Sequence, residues 1–570
     1  MNHDVSAATR SSCRGRAGHG VGQWLGLRAV AWIGAAWSLL VCGAALRAAP
    51  PELAGSAPVV LRPGVASVVS LSGRGLSSVR EVVTSWTGVL ERRDAEGWEA
   101  GEDRLKFPVF VPAGFSEGVE WLRVVGTNGV SNPVFVLIDG LPSRTEAAGQ
   151  GSAQVPAAMD GVVRDPKGAA WRVWCEAGDR VSFEVVAQRL GGTLDPVLRV
   201  TDGKGREIAR AGQTPGLGGD CGAVVSIPAA GEYRVEVRDA EYESGNGLWY
   251  RLRVGRFPVA VFPEMGTAAL AGRMPATVRF RTGTGDDVGL APWTLVSAGA
   301  AWRRLEIGAG GTLLLRWPDV RPEWDREREP NDGSTLAQVV SAGTSVAGAF
   351  DKTDEVDGYR LEISTPGRVR ISVRSRSLGW PCDPLLRLVD AGGRSLATAP
   401  VNEGDPVLHH RFDKAGTYGL YLEEAAGRFG PGREYVVGVE APAARFEMTS
   451  ETQSLAVPAG GKQSMTVNLE ARGYEGPIRI VAAGLPSGVE LVNPETEARK
   501  KEWSLEFRCA TNAVPGAWGR VILTAHAVAP GESGRAGLLL RPALRKLFPR
   551  MLSWSPGMTE ELWIGVVPGP

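Results

Sequence analysis

The feature that most constrains the fold of this 570-residue chain is an internal repeat in its middle. Residues 190–206 and 378–394 align without gaps at an offset of 188, and they share Leu-Gly, Asp-Pro, Leu-Arg and Gly-Arg pairs. Downstream, Gly231-Glu-Tyr233 matches Gly416-Thr-Tyr418 at an offset of 185. A repeat of this period indicates two copies of one structural module. We predict these copies at residues 150–257 and 328–442.

Both copies carry the patterns of antiparallel β structure. Apolar and polar side chains alternate over residues 233–238 and 368–373, which buries one face of a strand and exposes the other. Asp202-Gly203 after an apolar run is typical of a hairpin turn. Tyr233 and Tyr418 each follow an Ala-Gly pair, as the tyrosine of a β-sandwich corner does. The chain's 75 glycines and 38 prolines suit many short strands joined by turns, so we predict an all-β fold class.

The second copy resembles a known family. Glu329-Pro-Asn-Asp332, Gly348-Ala-Phe-Asp351, Asp357-Gly-Tyr359-Arg and the Gly-x-Tyr at 416–418 resemble the bacterial pre-peptidase C-terminal (PPC) domain. The first copy matches less well, because residues 142–150 lack the Glu-Pro-Asn-Asp entry. The resemblance implies a jelly-roll-like β-sandwich, similar to collagenase collagen-binding domains and found beside secreted peptidases. It also implies a non-catalytic appendage rather than an active site.

The segments around the repeat are also expected to be β domains. Residues 50–142, with Asn128-Gly129 between two apolar runs, resemble an immunoglobulin-like (IPT/TIG) domain. Residues 445–570 resemble the Ig-like repeats of bacterial surface and carbohydrate-active proteins. Residues 258–325 are expected to form a small β linker domain. The complete prediction is a series of tandem β-sandwich (jelly-roll-like and Ig-like) domains after an N-terminal signal peptide.

The signal peptide is predicted over residues 1–48. Four arginines precede the uncharged, mostly apolar stretch 29–46, and small residues follow it, as at a secretory cleavage site. The alternative is a retained membrane anchor, since 18 apolar residues is the lower limit for a spanning helix. No later stretch is long and apolar enough to span a membrane. We therefore expect export to the periplasm, the cell surface or the extracellular space.

The net charge and the cysteine spacing bear on nucleic-acid binding, metal binding and disulfide formation. A formal net charge of zero argues against a nucleic-acid partner. Cys175, Cys221, Cys382 and Cys509 have no metal-binding spacing, so we expect mostly buried thiols. A Cys175–Cys221 disulfide within the first copy is left open at this point.

No pattern of a catalytic site is present in the sequence. The chain has no HExxH or GxxxxGK[ST] motif. His409 and His410 are adjacent in a predicted strand, so their side chains should point to opposite faces. His526 is expected to be a half-buried strand residue. We predict that the protein is not an enzyme.

An acidic cluster in the second copy suggests a metal site. Calcium takes six to eight oxygen ligands, several of them carboxylates. The spacing of the acidic residues resembles the calcium site of collagen-binding relatives, and the alternative is a solvated, charged linker. The first copy has Arg164-Asp-Pro-Lys167 at the corresponding place, so no calcium is expected there. The predicted calcium ligands are Glu327, Glu329, Asn331, Asp332, Asp354 and Asp357.

Trp380 is the candidate ligand-binding aromatic residue, because it lies between Gly379 and Pro381 in a predicted loop. Exposed tryptophans stack on sugars or anchor protein partners, although burial between sheets is the commoner fate. We predict an exported, non-catalytic binding, adhesion or scaffold protein whose ligand is an extracellular protein or a polysaccharide. The alternatives are a secreted peptidase-associated protein or peptidase subunit, and a carbohydrate-binding protein.

Overall fold

The computed structural model describes residues 49–569 with gaps, and almost all of its regular structure is β-strand. The residues outside the description are 1–48, 58, 87, 92–96, 116, 145–150, 215–216, 260, 265–276, 283–286, 293–301, 308–310, 317–323, 333–336, 377–379, 381, 400–404, 431, 441–444, 473, 529–534, 552–553, 555 and 570. The predicted signal peptide therefore lies outside the described residues. Within them, no helix is long and apolar enough to cross a membrane. The predicted all-β, tandem-sandwich fold class is confirmed.

The N-terminal domain consists of two facing sheets. One has the order β1-β3-β7-β6 and the other β2-β10-β8-β4-β5, with β9 paired to β8. Strands β8 and β9 form the hairpin predicted at Asn128-Gly129. The strands are β1 (Glu52–Ala57), β2 (Val60–Leu61), β3 (Ala66–Arg74), β4 (Val79–Thr84), β5 (Gly88–Glu91), β6 (Glu99–Ala100), β7 (Arg104–Phe110), β8 (Gly118–Gly126), β9 (Gly129–Val130) and β10 (Val134–Ile138), and a 3-10 turn covers Leu76–Ser78.

The first module is a sandwich of two five-stranded sheets. Their orders are β11-β13-β20-β15-β18 and β12-β14-β19-β16-β17. Its strands are β11 (Ser143–Arg144), β12 (Ala153–Gln154), β13 (Ala157–Val162), β14 (Ala169–Cys175), β15 (Arg180–Val186), β16 (Pro196–Thr201), β17 (Glu207–Ala211), β18 (Cys221–Ser226), β19 (Gly231–Asp239) and β20 (Trp249–Gly255), with a 3-10 turn at Gln188–Leu190. The segment after it contains a three-stranded sheet and a two-stranded sheet. Their strands are β21 (Val261–Glu264), β22 (Thr277–Thr282), β23 (Asp287–Pro292), β24 (Trp302–Ile307) and β25 (Gly311–Arg316).

The second module repeats the strand order of the first. Its two five-stranded sheets run β26-β28-β35-β30-β33 and β27-β29-β34-β31-β32, so that every strand has its counterpart fifteen strands earlier. The strands are β26 (Asp325–Arg326), β27 (Gln338–Ser341), β28 (Ser345–Ala349), β29 (Val356–Ile363), β30 (Gly367–Arg374), β31 (Pro384–Val389), β32 (Ser395–Thr398), β33 (Val407–Phe412), β34 (Gly416–Glu424) and β35 (Glu434–Glu440). The internal repeat predicted from the sequence is confirmed.

The two modules also share local geometry. Asp202 Oδ1 accepts hydrogen bonds from the backbone amides of residues 204 and 206, and Asp390 Oδ1 does the same for residues 392 and 394. The Tyr233 hydroxyl donates to the carbonyl of residue 229 at 2.7 Å, and the Tyr418 hydroxyl donates to that of residue 414 at 3.1 Å. These are the bonds of a tyrosine corner. The hairpin and corner predictions therefore hold in both copies.

The described residues of the C-terminal domain form ten strands and two short helices. The strand order is β37-β45-β43-β44-β36-β38-β42-β40, while β39 pairs with β43 and β41. The strands are β36 (Arg445–Thr449), β37 (Ser454–Pro458), β38 (Lys462–Arg472), β39 (Pro477–Ala483), β40 (Val489–Leu491), β41 (Glu495–Glu497), β42 (Glu502–Cys509), β43 (Trp518–Ala527), β44 (Arg535–Leu539) and β45 (Glu561–Val567), and the helices are α1 (Arg541–Leu547) and α2 (Pro556–Glu560).

The described cysteines and histidines can now be placed in the fold. Cys175, Cys221, Cys382 and Cys509 are buried free thiols, so the Cys175–Cys221 disulfide left open above is not formed. His409 is exposed, whereas His410 on the opposite face of β33 packs on the Phe412 ring. His526 is half-buried in β43, as predicted.

Buried ion pairs join the N-terminal domain to the first module. The side chains of Arg251 and Asp139 are fully buried, and Arg251 Nε lies 2.6 Å from Asp139 Oδ2. Arg251 Nη1 also donates to both carboxylate oxygens of Asp160, at 2.9 Å each. Arg253 lies 2.6 Å from both Glu117 and Glu184. Each carboxylate in these pairs is paired with a guanidinium group, and such pairing offsets the cost of burying a charge.

Aromatic residues join the N-terminal domain to the C-terminal domain. The Trp563 ring stacks on Trp518 and meets Trp121 edge-on, with centroid distances of 5.3 and 5.8 Å. The buried Arg123 guanidinium lies 5.1 Å from the Trp563 ring centroid and donates to Gln453 Oε1 at 2.8 Å. The first and last domains of the described chain are therefore packed directly on each other.

Gly565 lies where the backbones of these two domains come close together, and it provides a test of their packing. A Cβ atom at Gly565 would lie 3.0 Å from the Gly129 Cα atom, which is backbone and cannot rotate away. We expect Gly565→Ala to lower the free energy of unfolding by about 1–3 kcal/mol, the usual cost of overpacking. Denaturant unfolding followed by tryptophan fluorescence measures the change. Gly537→Ala is the matched control, because Gly537 lies in a strand of the same sheet and a Cβ atom there would have no neighbouring atom within 4 Å. Equal effects of the two variants on the free energy of unfolding would contradict this packing.

Candidate metal centre

The residues predicted to bind calcium, except Asp354, meet at one edge of the second module. The chain enters the module along β26, which pairs with β28, and the Glu327 amide donates to the carbonyl of residue 347 at 2.9 Å. Residues 350–355 lead from β28 into β29, which carries Asp357. Two strands of the sandwich thus bring residues 327–332 beside residues 355–357. Acidic side chains of both segments therefore lie together at this edge.

The inner group of this centre consists of Glu327, Glu329 and Asp357. One carboxylate oxygen from each lies within 4.8 Å of the others. Glu327 Oε1 accepts from Tyr359 Oη at 2.8 Å and from Asn331 Nδ2 at 2.7 Å, while its Oε2 accepts from the amide of residue 349. These neutral donors fix the carboxylate without cancelling its charge. The inner group is therefore rich in oxygen atoms that hydrogen bonds hold in place.

Tyr435 links the two deepest carboxylates. Its hydroxyl oxygen lies 2.8 Å from Glu327 Oε1, 2.6 Å from Asp357 Oδ2 and 2.8 Å from the Tyr359 hydroxyl oxygen. This approach requires a glycine at position 348, where a Cβ atom would lie 2.6 Å from both the Tyr435 hydroxyl and Glu327 Oε2. In the sequence, Tyr359 belongs to the motif Asp357-Gly-Tyr359-Arg, and Tyr435 belongs to none of the motifs described above. Their role beside the carboxylates was not predicted.

Two buried oxygen atoms at the inner group, one of them on the neighbouring Asn331, have no hydrogen-bond partner among the described residues. They are Asn331 Oδ1 and Asp357 Oδ1, on side chains that are both 0% exposed. A buried acceptor without a partner costs about 1–3 kcal/mol, and more when it is charged. Carboxylate and amide oxygens are the ligands that calcium prefers. The donor set therefore fits a hard divalent cation.

The outer group consists of Glu329, Asp332 and Glu355, whose carboxylate oxygens also lie within 4.8 Å of one another. Glu355 Oε2 accepts from the backbone amides of residues 351 and 352, which hold the buried carboxylate in place. The sequence analysis missed Glu355, although it lies in the same acidic loop. Asp354 belongs to neither group: it is exposed, with a left-handed backbone at φ 55°.

Crowding of carboxylates shifts their proton affinity. Burial and the neighbouring Glu327 charge raise the pKa of Asp357 to about 9, although the Tyr435 hydroxyl acts in the opposite direction. Burial also raises the pKa of Glu327, against four hydrogen bonds that lower it. Without a cation, the inner group thus holds protons at neutral pH, where isolated carboxyl groups have already lost theirs.

The first module carries different residues at the matching positions. Ala169 pairs with Val237 in β14 and β19, as Asp357 pairs with Leu422 in β29 and β34. By the same alignment, Lys167 corresponds to Glu355. The first module thus presents a methyl group and an ammonium group where the second presents two carboxylates.

Trp380 does not form the exposed site predicted for it. The residue is only 2% exposed and packs within the hydrophobic core of the second module, together with Leu386 and Tyr435 among others. A tryptophan ring gains more from this burial than a loop position in the sequence can show. The prediction of Trp380 as a ligand-binding residue is therefore wrong.

Comparison with known proteins gives likeness in folded structure alone. Neither protein-family models nor the curated proteins give a match to this chain. One similar solved structure is the pre-peptidase C-terminal domain of a Bacillus anthracis collagenase, at 18% identity and a TM-score of 0.17, covering 20% of this chain and 100% of that one. Another is SGBP-B of a Bacteroides ovatus mixed-linkage glucan utilization locus, in complex with a heptasaccharide, at 9% identity and a TM-score of 0.13, covering 66% of this chain and 72% of that one. A tetra-tandem repeat of a large adhesion protein is similar at 10% identity and a TM-score of 0.12, covering 85% of this chain and 98% of that one.

Proposed function

We propose that this protein is an exported, non-catalytic binding protein whose second module holds a calcium ion. The observation that carries the calcium proposal is the pair of buried, unpartnered oxygens, Asn331 Oδ1 and Asp357 Oδ1, beside the Glu327 and Glu329 carboxylates. These four residues would hold the ion. Its charge would offset carboxylate repulsion that burial makes costly.

The proposed ion would act on the folding of the module. Glu327, Glu329 and Asn331 lie in the segment that enters the module, whereas Asp357 lies within β29. An ion shared by these residues ties the entering segment to the sandwich, and binding free energy gained only in the folded state adds to stability. Calcium would thereby fix the start of the second module.

The proposed binding role rests on the architecture and on the N-terminal sequence. Tandem sandwiches present loops and sheet faces to partners, and residues 29–46 have the composition of a secretory signal. We propose an extracellular protein or a polysaccharide as the ligand, with the periplasm, cell surface or medium as its location.

The calcium proposal is tested by thermal unfolding of the full chain with EDTA and with added Ca²⁺. We expect Ca²⁺ to raise the melting temperature of the wild type, and Asp357→Asn to remove that rise because it deletes a buried anionic ligand. Asp354→Asn, the same substitution at an exposed residue outside both groups, should keep the rise. A wild-type melting curve that calcium leaves unchanged would overturn the proposal.

A further inference from the structure

The acidic centre already contains one cation of its own, the ammonium group of Lys352. Lys352 Nζ lies 3.1 Å from Glu355 Oε1, 3.2 Å from Glu329 Oε2 and 3.8 Å from Asp332 Oδ2. These are the three carboxylates of the outer group. Within the inner group, Glu329 is the carboxylate that Lys352 also contacts, because Glu329 belongs to both groups.

The inner and outer groups therefore differ in how their charge is compensated. At the inner group, Asp357 Oδ1 and the neighbouring Asn331 Oδ1 are buried and unpartnered among the described residues, and the donors around Glu327 are neutral. In the outer group, an ammonium lies against every carboxylate. A lysine ammonium is a compact point charge, so it can occupy a place between carboxylates that a metal ion would also take.

We propose that Lys352 is a tethered cation that occupies the outer group and limits the second module to one divalent ion, bound in the inner group. This inference rests on the proposed calcium site. The two positive charges would compete directly, because a second ion bound to Glu329, Asp332 and Glu355 could not coexist with the ammonium at these distances. The side chain of Lys352 is 57% exposed, so its flexible stem does not depend on core packing.

The Lys352 side chain can be replaced without removing the backbone contacts of its loop. Lys352 contributes its backbone amide to Glu355 Oε2 at 3.0 Å, and a side-chain change leaves that bond in place. Lys352→Met removes the ammonium and keeps a stem of similar length. The outer carboxylates then repel one another without a counter-charge, which favours their capture of a second cation.

Isothermal titration of the full chain with Ca²⁺ tests the proposal through stoichiometry. We expect the wild type to bind one ion and Lys352→Met to bind two. Lys352→Arg retains the positive charge and should bind one. Lys414→Met, at an exposed lysine of the same module, removes the same charge outside the centre and should also bind one.

The outcomes separate this inference from the proposed function. A wild type that binds no calcium overturns both. A wild type that binds two ions, or a Lys352→Met variant that still binds one, overturns only the role of Lys352. Lys352→Gln gives a second neutral variant, and calcium-free unfolding of each variant establishes that it is folded before the titration.

Discussion

Replacing Arg251 by methionine is expected to lower the free energy of unfolding by about 3–5 kcal/mol, the usual cost of breaking a buried ion pair from one side. Arg251 and Asp139 are both fully buried where the N-terminal domain meets the first module. Burial by itself would raise the pKa of Asp139, but the Arg253 and Arg251 guanidinium groups outweigh it and lower the pKa. Without Arg251, this carboxylate keeps longer contacts to Arg253, at 3.4 Å, and a hydrogen bond from the backbone amide of residue 141, at 3.2 Å. Denaturant unfolding of the full chain measures the loss.

Two further variants identify the cause of that loss. Arg256→Met removes an arginine of the same module that pairs with Asp179, but Arg256 is 66% exposed and water replaces its contacts, so a much smaller change is expected. Adding Asp139→Asn to Arg251→Met should recover part of the stability, because it removes the charge left without its partner. If Arg251→Met and Arg256→Met have equal effects, the buried ion pair does not stabilise this interface.

In calcium-free buffer, the second module should become less stable as the pH rises. The pKa of Asp357 is raised to about 9 in the folded module, against about 3.9 for an unfolded aspartate. The folded form therefore holds a proton that the unfolded form has released. The resulting stability is fully present below about pH 4 and is lost as the pH rises towards 9, a change on the order of a few kcal/mol.

Calcium should reverse this pH dependence. Metal ligands must be deprotonated, so binding releases the proton and strengthens with rising pH. Calorimetric unfolding from pH 5 to pH 9, with EDTA or with excess Ca²⁺, measures both trends, and Asp357→Asn should flatten them. A calcium-free protein whose stability rises over this interval would show that Asp357 is ionised in the folded state.

The sequence predicted the structure best where the interacting residues lie close together in the chain. The turn aspartates Asp202 and Asp390 and the corner tyrosines Tyr233 and Tyr418 bond to backbone groups within four residues, so each pattern carries its own structure. Strand alternation behaves in the same way, because the side-chain period of a strand is set by its own backbone. The all-β class and the internal repeat follow from such patterns.

Prediction from the sequence failed where the placement of a side chain depends on the rest of the fold. Asp354 and Glu355 are adjacent acids in one loop, yet the backbone turns one into solvent and the other towards Glu329. Trp380 lies in a segment rich in turn residues but is buried in the core. The bond from Trp518 to Glu81 joins residues 437 positions apart, and no periodicity in a single sequence reveals such a pair.

The contact between Gly129 and Gly565 has a mechanical consequence. Because the first and last β domains touch directly, a force that pulls these two domains apart acts first on the interface around Trp563. The second module lies between these two domains in the chain and bears this load only after the interface opens. The proposed calcium site would then experience tension as a second stage, after the arginine and tryptophan contacts between the outer domains have broken.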